Sequence, residues 1–365
     1  MHWKYSIMHM DDVVATIDSN GLCHIDSPDF LPYNLWLVSG DDVTTRTENL
    51  SNFQYWCASR IFPRDRKYAG EMLEAIGADR SSTEKERAQI SLLFHCATMT
   101  DVFWVREGTE HLRFSQVSLY AHPLSGIFAE VSLLGNVRSL QEMTPLTSMD
   151  YAADISTQGA VPKAWIRQGP AFFLLKDSGN RDVDAELLAS QIARCFAVDQ
   201  VLYEPSSYRD TPVTQSRLFT SVSESIVPME YVEIYAANHD TTRAQMIKRF
   251  DLYGYHMMNL VDYLVGNTDR HWGNWGFLID NRTNLPIRLH PLMDFNKSFL
   301  AYDTLEGARC LTTESSMSQM DAAILAVRAV GLNQRNEIDP AWFSDDNVFR
   351  MFSRRLQVLR SALSK

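Results

Sequence analysis

The sequence predicts an α+β fold with two lobes, one rich in strands and one helical, preceded by an N-terminal α/β extension. Short runs of alternating apolar and polar residues, typical of strands, occupy the first 40 residues and parts of 163–235. From about residue 240 the apolar residues recur at helical spacing instead. The length of 365 residues exceeds what one small core usually organises, which favours two or three structural units.

The composition is that of an acidic globular protein. Hydrophobic residues make up 45% and charged residues 22% of the chain, both ordinary proportions. The net charge of −11 disfavours a free-standing binder of duplex DNA or RNA, which usually carries a basic surface. We therefore expect no direct nucleic-acid partner, although a basic groove on an acidic body is compatible with this charge.

Cysteine usage and the N-terminus bear on the compartment. The five cysteines are far apart and form no CxxC pair, which favours reduced thiols over a disulfide framework. Two aspartates stand in the first 20 residues before any apolar run, unlike a secretory signal, and no apolar stretch approaches the length of a membrane span. We expect a cytoplasmic protein without membrane association, and delivery as a secreted effector stays open.

The N-terminal extension is predicted to contain strands followed by helices. The strands are expected at 5–10, 13–18, 22–26 and 101–106. Helices are expected at 50–76, interrupted by Pro63, and at 84–99. The polar, turn-rich segment 141–150 is the nearest candidate for a linker, and no internal repeat occurs.

The middle of the chain is predicted to form a hairpin and a helix. The strands KAWIR and AFFLL are joined by a QGP turn, and the second ends in Lys176. The polar loop STQGAVPK (156–163) enters the hairpin. A helix is expected at 182–198, with Asp182 or Asp184 near its cap and Glu186 in its first turn. Residues 216–235 are expected to form two further strands.

The C-terminal part is predicted to be mainly helical. Met257, Met258 and Val261 lie on one face of a helix that leads into GNTDRH. Two short strands, 275–280 and 287–295, are expected around an NRTN turn, and helices return after residue 313.

Five side chains that phosphoryl transfer requires occur in one order along the chain: Lys176, Glu186, Asp269, Asn274 and Asp294. Such a reaction needs a lysine near the phosphates, an acid that fixes it, an aspartate at the attacking hydroxyl, and oxygen ligands for Mg²⁺. The interval from Asp269 to Asn274 equals that of the kinase catalytic loop. Singly, each side chain has an ordinary explanation, such as a turn-forming Asp or Asn. The combined order and spacing favour a site.

The segments GNTDRHWGNWGF (266–277) and LMDFNKSF (292–299) resemble the catalytic region of HipA-like kinases. These are bacterial serine/threonine kinases with a protein-kinase-like fold, similar at this segment to phosphatidylinositol kinases. The resemblance covers most of the chain and is most specific at 266–299. It implies an N-terminal extension at 1–110, a kinase N-lobe at 111–230 and a C-lobe at 231–365.

The resemblance also implies roles for the five side chains. Lys176 would contact the ATP phosphates and Glu186 would pair with it. Asp269 would orient or deprotonate the substrate hydroxyl, and Asn274 and Asp294 would ligate Mg²⁺. The implied reaction is the ATP- and Mg²⁺-dependent phosphorylation of a protein serine or threonine.

Further ATP contacts are implied for the loop 156–163, which would cover the phosphates through Ser156, Thr157, Gly159 and Lys163. Ser156 is the candidate for autophosphorylation, which in similar kinases accompanies loss of activity. Residues 228–233 would form the hinge between the lobes. Backbone groups of this hinge would bind the adenine ring, at Glu230, Tyr231 and Val232. His271 is expected to be structural.

The chain departs from ordinary protein kinases in ways that leave alternatives open. It has no GxGxxG, the catalytic order is Asp-Arg-His rather than His-Arg-Asp, and the last motif is DFN rather than DFG. A kinase of lipids or small molecules and an inactive kinase fold that binds nucleotide or protein remain alternatives. A metallophosphoesterase is disfavoured because its further metal-binding motifs are missing. Some relatives are growth-arresting toxins, and an antitoxin for this chain would be a separate protein.

Overall fold

The computed structural model describes residues 3–80, 82–137, 149–177, 179–300 and 302–363. The chain forms two compact units that interleave along the sequence. The first unit comprises Met1–Asp177, Leu218–Ile226 and Asp280–Leu285, and the second comprises Ser178–Arg217, Val227–Ile279 and Pro286–Lys365. The lobe boundaries after residues 110 and 230 stay a prediction, and most of the predicted linker at 141–150 lies outside the described residues.

The first unit contains six strands and six α-helices between its described residues 3 and 177, besides a short 3-10 helix at Pro28–Phe30. The strands are β1 (Lys4–His9), β2 (Asp12–Asp18), β3 (Cys23–Ile25), β4 (Phe103–Glu107), β5 (Lys163–Gln168) and β6 (Ala171–Lys176). The helices are α1 (Val43–Ser59), α2 (Ala69–Ala75), α3 (Glu84–Leu93), α4 (Phe114–Val117), α5 (Gly126–Leu134) and α6 (Met149–Ile155).

The second unit is mainly helical. Its elements are α7 (Asn180–Ala193), β7 (Tyr203–Tyr208), β8 (Thr211–Arg217), α8 (Met229–Ala237), α9 (Arg243–Phe250), α10 (Leu252–Val265), β10 (Gly276–Asp280), β11 (Leu285–Leu289), α11 (Gln319–Val330) and α12 (Asp346–Leu363). Strand β9 (Glu224–Pro228) leads along the chain from the first unit into the second. No helix in the described ranges is both long enough and apolar enough to cross a membrane.

The N-terminal strands form one antiparallel sheet in the order β3-β2-β1-β4, as the alternating pattern predicts. Ile7 pairs with Ala15 on one side and with Val105 on the other. The inward side chains of this sheet share a buried core with Phe53 and Trp56 of α1. Burial of these apolar surfaces is the main force that holds sheet and helix together.

The helix predicted at 84–99 is shorter in the structure. It begins as expected, because Thr83 and Glu86 form a reciprocal capping box. It ends at Leu93, since His95 and Cys96 take left-handed backbone conformations with φ of 54° and 53°. Residues in the left-handed conformation cannot continue an α-helix. The residue types His and Cys do not predict that conformation at positions 95 and 96.

The hairpin predicted in the middle of the chain is confirmed. Strands β5 and β6 are antiparallel, with Lys163 opposite Lys176 and Trp165 opposite Leu174. Gly169 turns the chain with a φ of 60°. Helices α5 and α6, which the sequence pattern did not indicate, pack here, and Phe128 of α5 is fully buried in the same core as Trp165.

Two predictions around α7 and α8 were wrong in detail. Helix α7 begins at Asn180 rather than 182, with Gly179 as its N-cap, and Asp182 lies in its first turn near the cap, as predicted. Glu186, predicted in the first turn, lies in the second. Residues 229–235, predicted as part of the second of two strands, belong to α8, because Met229, Val232 and Ala236 share one buried helical face.

The long helical part is confirmed, with one correction that bears on the site. Between Leu260 and Val265 of α10, every residue except Asp262 is apolar or aromatic and fully buried. Strands β10 and β11 are neighbours in a sheet, as predicted. The second strand, predicted to run to residue 295, ends at Leu289. Asp294 instead has a left-handed φ of 60°, which takes it out of strand geometry.

Candidate active site

The end of α10 fixes where the segment 267–274 begins. Gly266 is the C-cap and takes a left-handed φ of 61°, and the next amide, of Asn267, donates to the Asp262 carbonyl at 2.9 Å. A Cβ at position 266 would meet the Tyr302 ring at 2.6 Å, so the position requires glycine for space as well as for conformation. The helix therefore stops abruptly and the chain turns into the Asp-Arg-His sequence.

Arg270 ties the catalytic segment to the segment that carries Asp294. Its guanidinium donates two hydrogen bonds to Asp262, at 2.8 and 3.0 Å. Its Nη1 donates to the carbonyl oxygens of Asn274 at 2.8 Å and Met293 at 2.6 Å. Because one nitrogen binds both carbonyls, the backbones next to the two predicted metal ligands are held side by side.

This arginine remains charged although it is 2% exposed. Burial alone would lower the pKa of Arg270, but the charge and hydrogen bonds of Asp262 raise it above its usual value. Asn267 completes the network, donating to Asp262 at 3.2 Å and accepting the Asp269 amide at 3.1 Å. Since a buried ion pair is stable only when its remaining polar atoms are satisfied, this network defines a rigid base for the site.

Asp269 is half-buried, with other charged groups around it. Burial raises the pKa of its carboxyl, and the negative charge of Asp294 raises it further. The positive charges of His271, Lys297 and Arg270 act in the opposite direction. Asp269 and Asp294 are therefore close enough to interact, as two acids of one site must be.

The two predicted metal ligands are each fixed by one hydrogen bond. The Asn274 side-chain nitrogen donates to the Asp269 carbonyl at 2.9 Å, so that Oδ1 is the remaining acceptor of this amide. The Asp294 amide donates to the Tyr203 hydroxyl at 3.0 Å, which fixes the second predicted ligand. No group of three or more His, Cys, Asp or Glu side chains in the described part of the chain could hold a metal. An amide oxygen and one carboxylate, completed by phosphate and water, is however a set that suits Mg²⁺.

Lys176 and Glu186 are both buried in their respective units. Lys176 ends β6 with 5% exposure, and Glu186 on α7 is fully buried. The Glu186 carboxylate accepts a hydrogen bond from the Thr214 hydroxyl of β8 at 2.9 Å. Buried charges require partners, and the predicted pairing of these two side chains with each other stays a prediction.

The predicted phosphate-covering loop is hydrogen-bonded to helix α6, strand β5 and Arg66 within the first unit. Ser156 is 6% exposed, and its hydroxyl donates to the Ala153 carbonyl at 3.2 Å. The Thr157 hydroxyl donates to the same carbonyl at 2.6 Å and accepts the Trp165 indole N–H at 2.7 Å. Arg66 donates to the carbonyl oxygens of Thr157 and Lys163 at the two ends of the loop.

Gly159 is the position of this loop that requires glycine. Its φ is 101°, a conformation that side chains rarely adopt, and a Cβ there would collide with the Lys163 ammonium. The loop therefore brings the Lys163 side chain back over its own backbone. The Lys163 ammonium therefore lies beside the Gly159 backbone, and the contact of either group with ATP stays a prediction.

The predicted hinge residues lie in the first turns of α8. The amide of Met229 donates to the Trp275 carbonyl at 2.8 Å and that of Glu230 to the Trp272 carbonyl at 3.3 Å. Val232 is fully buried. Burial raises the pKa of Glu230, whereas the His271 charge lowers it, so this glutamate faces the catalytic segment. The adenine-reading role of residues 230–232 stays a prediction.

Several residues of the site were missed at the level of sequence. Asp262 had a signal, because an acid inside the apolar run LVDYLV needs a buried partner. Lys297 forms an ion pair with Asp182 of α7, and Tyr203 contacts Asp294, and neither pairing has a signal in the spacing. Such contacts join distant parts of the sequence and emerge only from the fold.

Comparison with known proteins provides evidence about the fold of the chain. No protein-family model matches the chain, and neither does any curated protein. The complex of HipA, HipB and operator DNA from the toxin–antitoxin system of Shewanella oneidensis MR-1 matches at 12% identity and a TM-score of 0.50, over 99% of this chain and 91% of that one. The proinflammatory kinase CtkA of Helicobacter pylori matches at 13% identity and a TM-score of 0.45, over 56% of this chain and 90% of that one.

The two similarities differ in weight. The likeness to CtkA is too low in TM-score to carry an argument. The likeness to HipA extends over nearly the whole chain, and at 12% identity it concerns the fold alone. The expectation of no nucleic-acid partner receives no support from it, since the HipA complex contains operator DNA. The chain has the α+β, kinase-like fold of HipA, as the resemblance of its motifs predicts.

Proposed function

We propose that this protein is an ATP- and Mg²⁺-dependent serine/threonine protein kinase of the HipA-like type. The observation that carries the proposal is the Arg270 guanidinium, which binds the backbones of both the Asp269–Asn274 loop and the segment before Asp294. The two backbone segments that carry Asp269, Asn274 and Asp294 are thereby tied together, which supports the proposal that these side chains form one kinase site. The kinase-like fold supports the same proposed function.

In the proposed reaction Asp269 orients the substrate hydroxyl and accepts its proton. The hydroxyl oxygen forms a bond to the γ-phosphorus while the bond from that phosphorus to the leaving ADP oxygen breaks. Burial raises the pKa of Asp269, which makes its carboxylate a better proton acceptor than an exposed aspartate. Asn274 helps to hold this residue through the hydrogen bond to its carbonyl.

Asn274 and Asp294 would hold the metal. Their available donors are an amide oxygen and a carboxylate, which are hard ligands of the kind that Mg²⁺ prefers. When bound, Mg²⁺ neutralises phosphate charge and orients the transferred group. Tyr203 and Arg270 keep the two ligands in position through the Asp294 amide and the Met293 and Asn274 carbonyls.

The remaining ATP contacts are proposed from the resemblance and from burial. Lys176 would bind phosphates and Glu186 would pair with it. The loop 156–163 would cover the phosphates, and residues 230–232 would read adenine. Autophosphorylation at Ser156 would require the loop to open, because that hydroxyl is buried and bonded to Ala153.

We also propose a separate antitoxin-type protein as a partner. The motif resemblance includes growth-arresting toxins, and the HipA neighbour is recorded with HipB and operator DNA. For this chain, any contact with DNA would then arise in such an assembly. Co-purification of the chain with the product of a neighbouring gene, and loss of growth arrest in its presence, would support this partner.

The proposal is tested with Asp269→Ala and Asp294→Ala in the purified protein. Each should lower phosphoryl transfer by about 10²- to 10⁴-fold, since each removes a group that acts at the reacting atoms. Asp294→Ala should also weaken binding of Mg-ATP, measured by calorimetry, whereas Asp269→Ala should largely spare it. Asp280→Ala, at an exposed ion pair with Arg282, is the control. Wild-type activity in both site variants would refute the assignment.

A further inference from the structure

We propose that Lys297 is a further catalytic residue of this site, whose ammonium contacts the transferred phosphoryl group, with Asp182 as the residue that positions it. The proposal rests on the kinase function proposed above and extends it to a lysine outside the five motif positions. The ion pair between the Lys297 ammonium and the Asp182 carboxylate is the contact from which it starts.

The backbone of Lys297 is fixed beside the catalytic segment. Its carbonyl oxygen accepts two hydrogen bonds from Thr268, one from the amide at 3.3 Å and one from the hydroxyl at 3.2 Å. Thr268 immediately precedes Asp269, and Lys297 follows Asp294 by three residues. The backbone of Lys297 is thus tied to the residue before the proposed proton acceptor, and it follows the proposed metal ligand closely along the chain.

The charge of Lys297 reaches the site. It is one of the three cations whose charge lowers the pKa of Asp269, together with His271 and Arg270. The ammonium approaches Asp182 in the first turn of α7, and the lysine side chain is 38% exposed while the aspartate is 14% exposed. The lysine side chain is therefore partly open to solvent, unlike that of the buried Arg270.

The other two cations are poorly suited to bind a phosphoryl group. Arg270 is 2% exposed, and its guanidinium already binds Asp262, Asn274 and Met293. His271 is positive only when protonated, and its Nδ1 accepts the Gly273 amide at 3.0 Å. Of the three cations, Lys297 combines a lysine ammonium with a partly exposed side chain.

The role follows from the charge that phosphoryl transfer must accommodate. Negative charge is spread over the equatorial oxygens of the transferred group, and a cation aimed at those oxygens stabilises the transition state. A partly exposed ion pair is weak enough to be given up for such a ligand. Asp182 therefore keeps the ammonium oriented in the absence of nucleotide and releases it to the phosphoryl oxygens.

The test compares Lys297→Met and Lys297→Arg with the matched control Arg288→Met. Arg288 forms an ion pair with Asp199 at 2.5 Å and is 40% exposed, close to the exposure of Lys297. We expect Lys297→Met to lower kcat by roughly 10²- to 10³-fold, as loss of one preorganised electrostatic group does elsewhere. Lys297→Arg should restore much of this rate, and Arg288→Met should leave it unchanged.

A binding measurement separates phosphoryl contact from general damage. Calorimetry with Mg-ADP and with a non-hydrolysable Mg-ATP analogue measures what the γ-phosphoryl group adds to affinity. Lys297→Met should weaken binding of the analogue and leave that of Mg-ADP nearly unchanged. Equal affinities of wild type and Lys297→Met for the analogue, or equal weakening of both nucleotides, would overturn the proposal.

Asp182→Asn distinguishes a positioning role from a purely structural ion pair. This variant breaks the pair but keeps the Lys297 charge, so we expect a much smaller loss of kcat than in Lys297→Met. The same loss in both would show that the pair only stabilises the fold and would overturn the proposal. If the wild type transfers phosphate and Lys297→Met has the same kcat, only the role of Lys297 is refuted. If the wild type neither binds nucleotide nor transfers phosphate, the proposed kinase function is refuted as well.

Discussion

Asp269 is the residue on which the proposed chemistry depends, and its charged neighbours set the pH range in which it works. Burial and Asp294 raise the pKa of its carboxyl, while His271 and Lys297 lower it. A proton acceptor has to be ionised, so transfer should fall as the pH decreases through this pKa. Since the pKa is raised, the fall should begin at a higher pH than for an exposed aspartate.

The variant His271→Gln tests this electrostatic balance. It removes a positive charge that lowers the pKa of Asp269, so the acid limb of kcat/KM should move to higher pH. The pH dependence of kcat/KM in wild type and variant measures the shift directly. His239→Gln serves as the control, because His239 is an exposed residue stacked on Tyr235. A limb that stays in place or moves to lower pH would contradict the assigned role of His271.

At the residue scale, spacing along the chain predicts candidate site residues, but it does not predict the contacts that hold them in place. Asp269, Asn274 and Asp294 could be recognised because their spacing along the chain is itself the signal. Asp262 and Lys297 act through contacts with residues 8 and 115 positions away, and such pairings are not encoded in local spacing. The left-handed backbone of Asp294 was also missed, since its apolar neighbours are typical of a strand.

Among the elements, α10 and the catalytic segment are joined by the buried pair of Asp262 and Arg270. Asp262→Ala would leave the Arg270 charge buried without its carboxylate, which should cost about 3–5 kcal/mol of unfolding free energy. Asp280→Ala breaks a pair with Arg282, which is 83% exposed, and should cost at most about 1 kcal/mol. Urea unfolding of both variants measures the difference. Equal losses would show that the Arg270 network does not hold the site.

Helix α6 and strand β5 are joined by a carboxyl that gives stability a pH dependence. Burial raises the pKa of Asp154 to about 7 from its ordinary value of 3.8, although the Trp165 amide and Arg66 act in the opposite direction. The folded state therefore holds the proton more tightly than the unfolded state. The stabilisation is fully present below about pH 4 and is lost as the pH rises to about 7.

Asp154→Asn should remove this dependence. Its unfolding free energy should lack the decrease between about pH 4 and pH 7, which for wild type is on the order of a few kcal/mol. Unfolding in urea at several pH values gives the comparison. Asp150→Asn, at a half-buried position in the first turn of the same helix, is the control. Parallel curves for wild type and Asp154→Asn would contradict the raised pKa.

The elements also show where local sequence signals reach their limit. The hairpin of β5 and β6 was predictable, since alternation and a Gly-Pro turn determine it. Helix α8 was read as a strand, because the run YVEIY has β-branched and aromatic residues that favour either form. The contacts of Met229, Val232 and Ala236 in the core decide for the helix.

For the whole molecule, the likeness to HipA bears out the kinase-like fold that two short motifs predicted. The interleaving of the two units was not predictable. Residues 218–226 and 280–285 return to the first unit, and no linker or change in composition marks those returns. Catalytic motifs carry information about fold because the reaction constrains them, whereas the path of the chain between them is determined by packing.

The central claim is that the chain transfers phosphate from ATP, and phosphosite mapping tests it most directly. Purified wild type and Asp294→Ala are incubated with Mg²⁺ and ATP, and any phosphate is located by mass spectrometry. The account predicts phosphate on a serine or threonine hydroxyl, with Ser156 as the first candidate, in the wild type only. A nucleotide-induced rise in melting temperature without any phosphorylation, even of added protein substrates, would favour an inactive binding fold. If neither phosphorylation nor a nucleotide-induced rise in melting temperature is detected, the result contradicts the claim altogether.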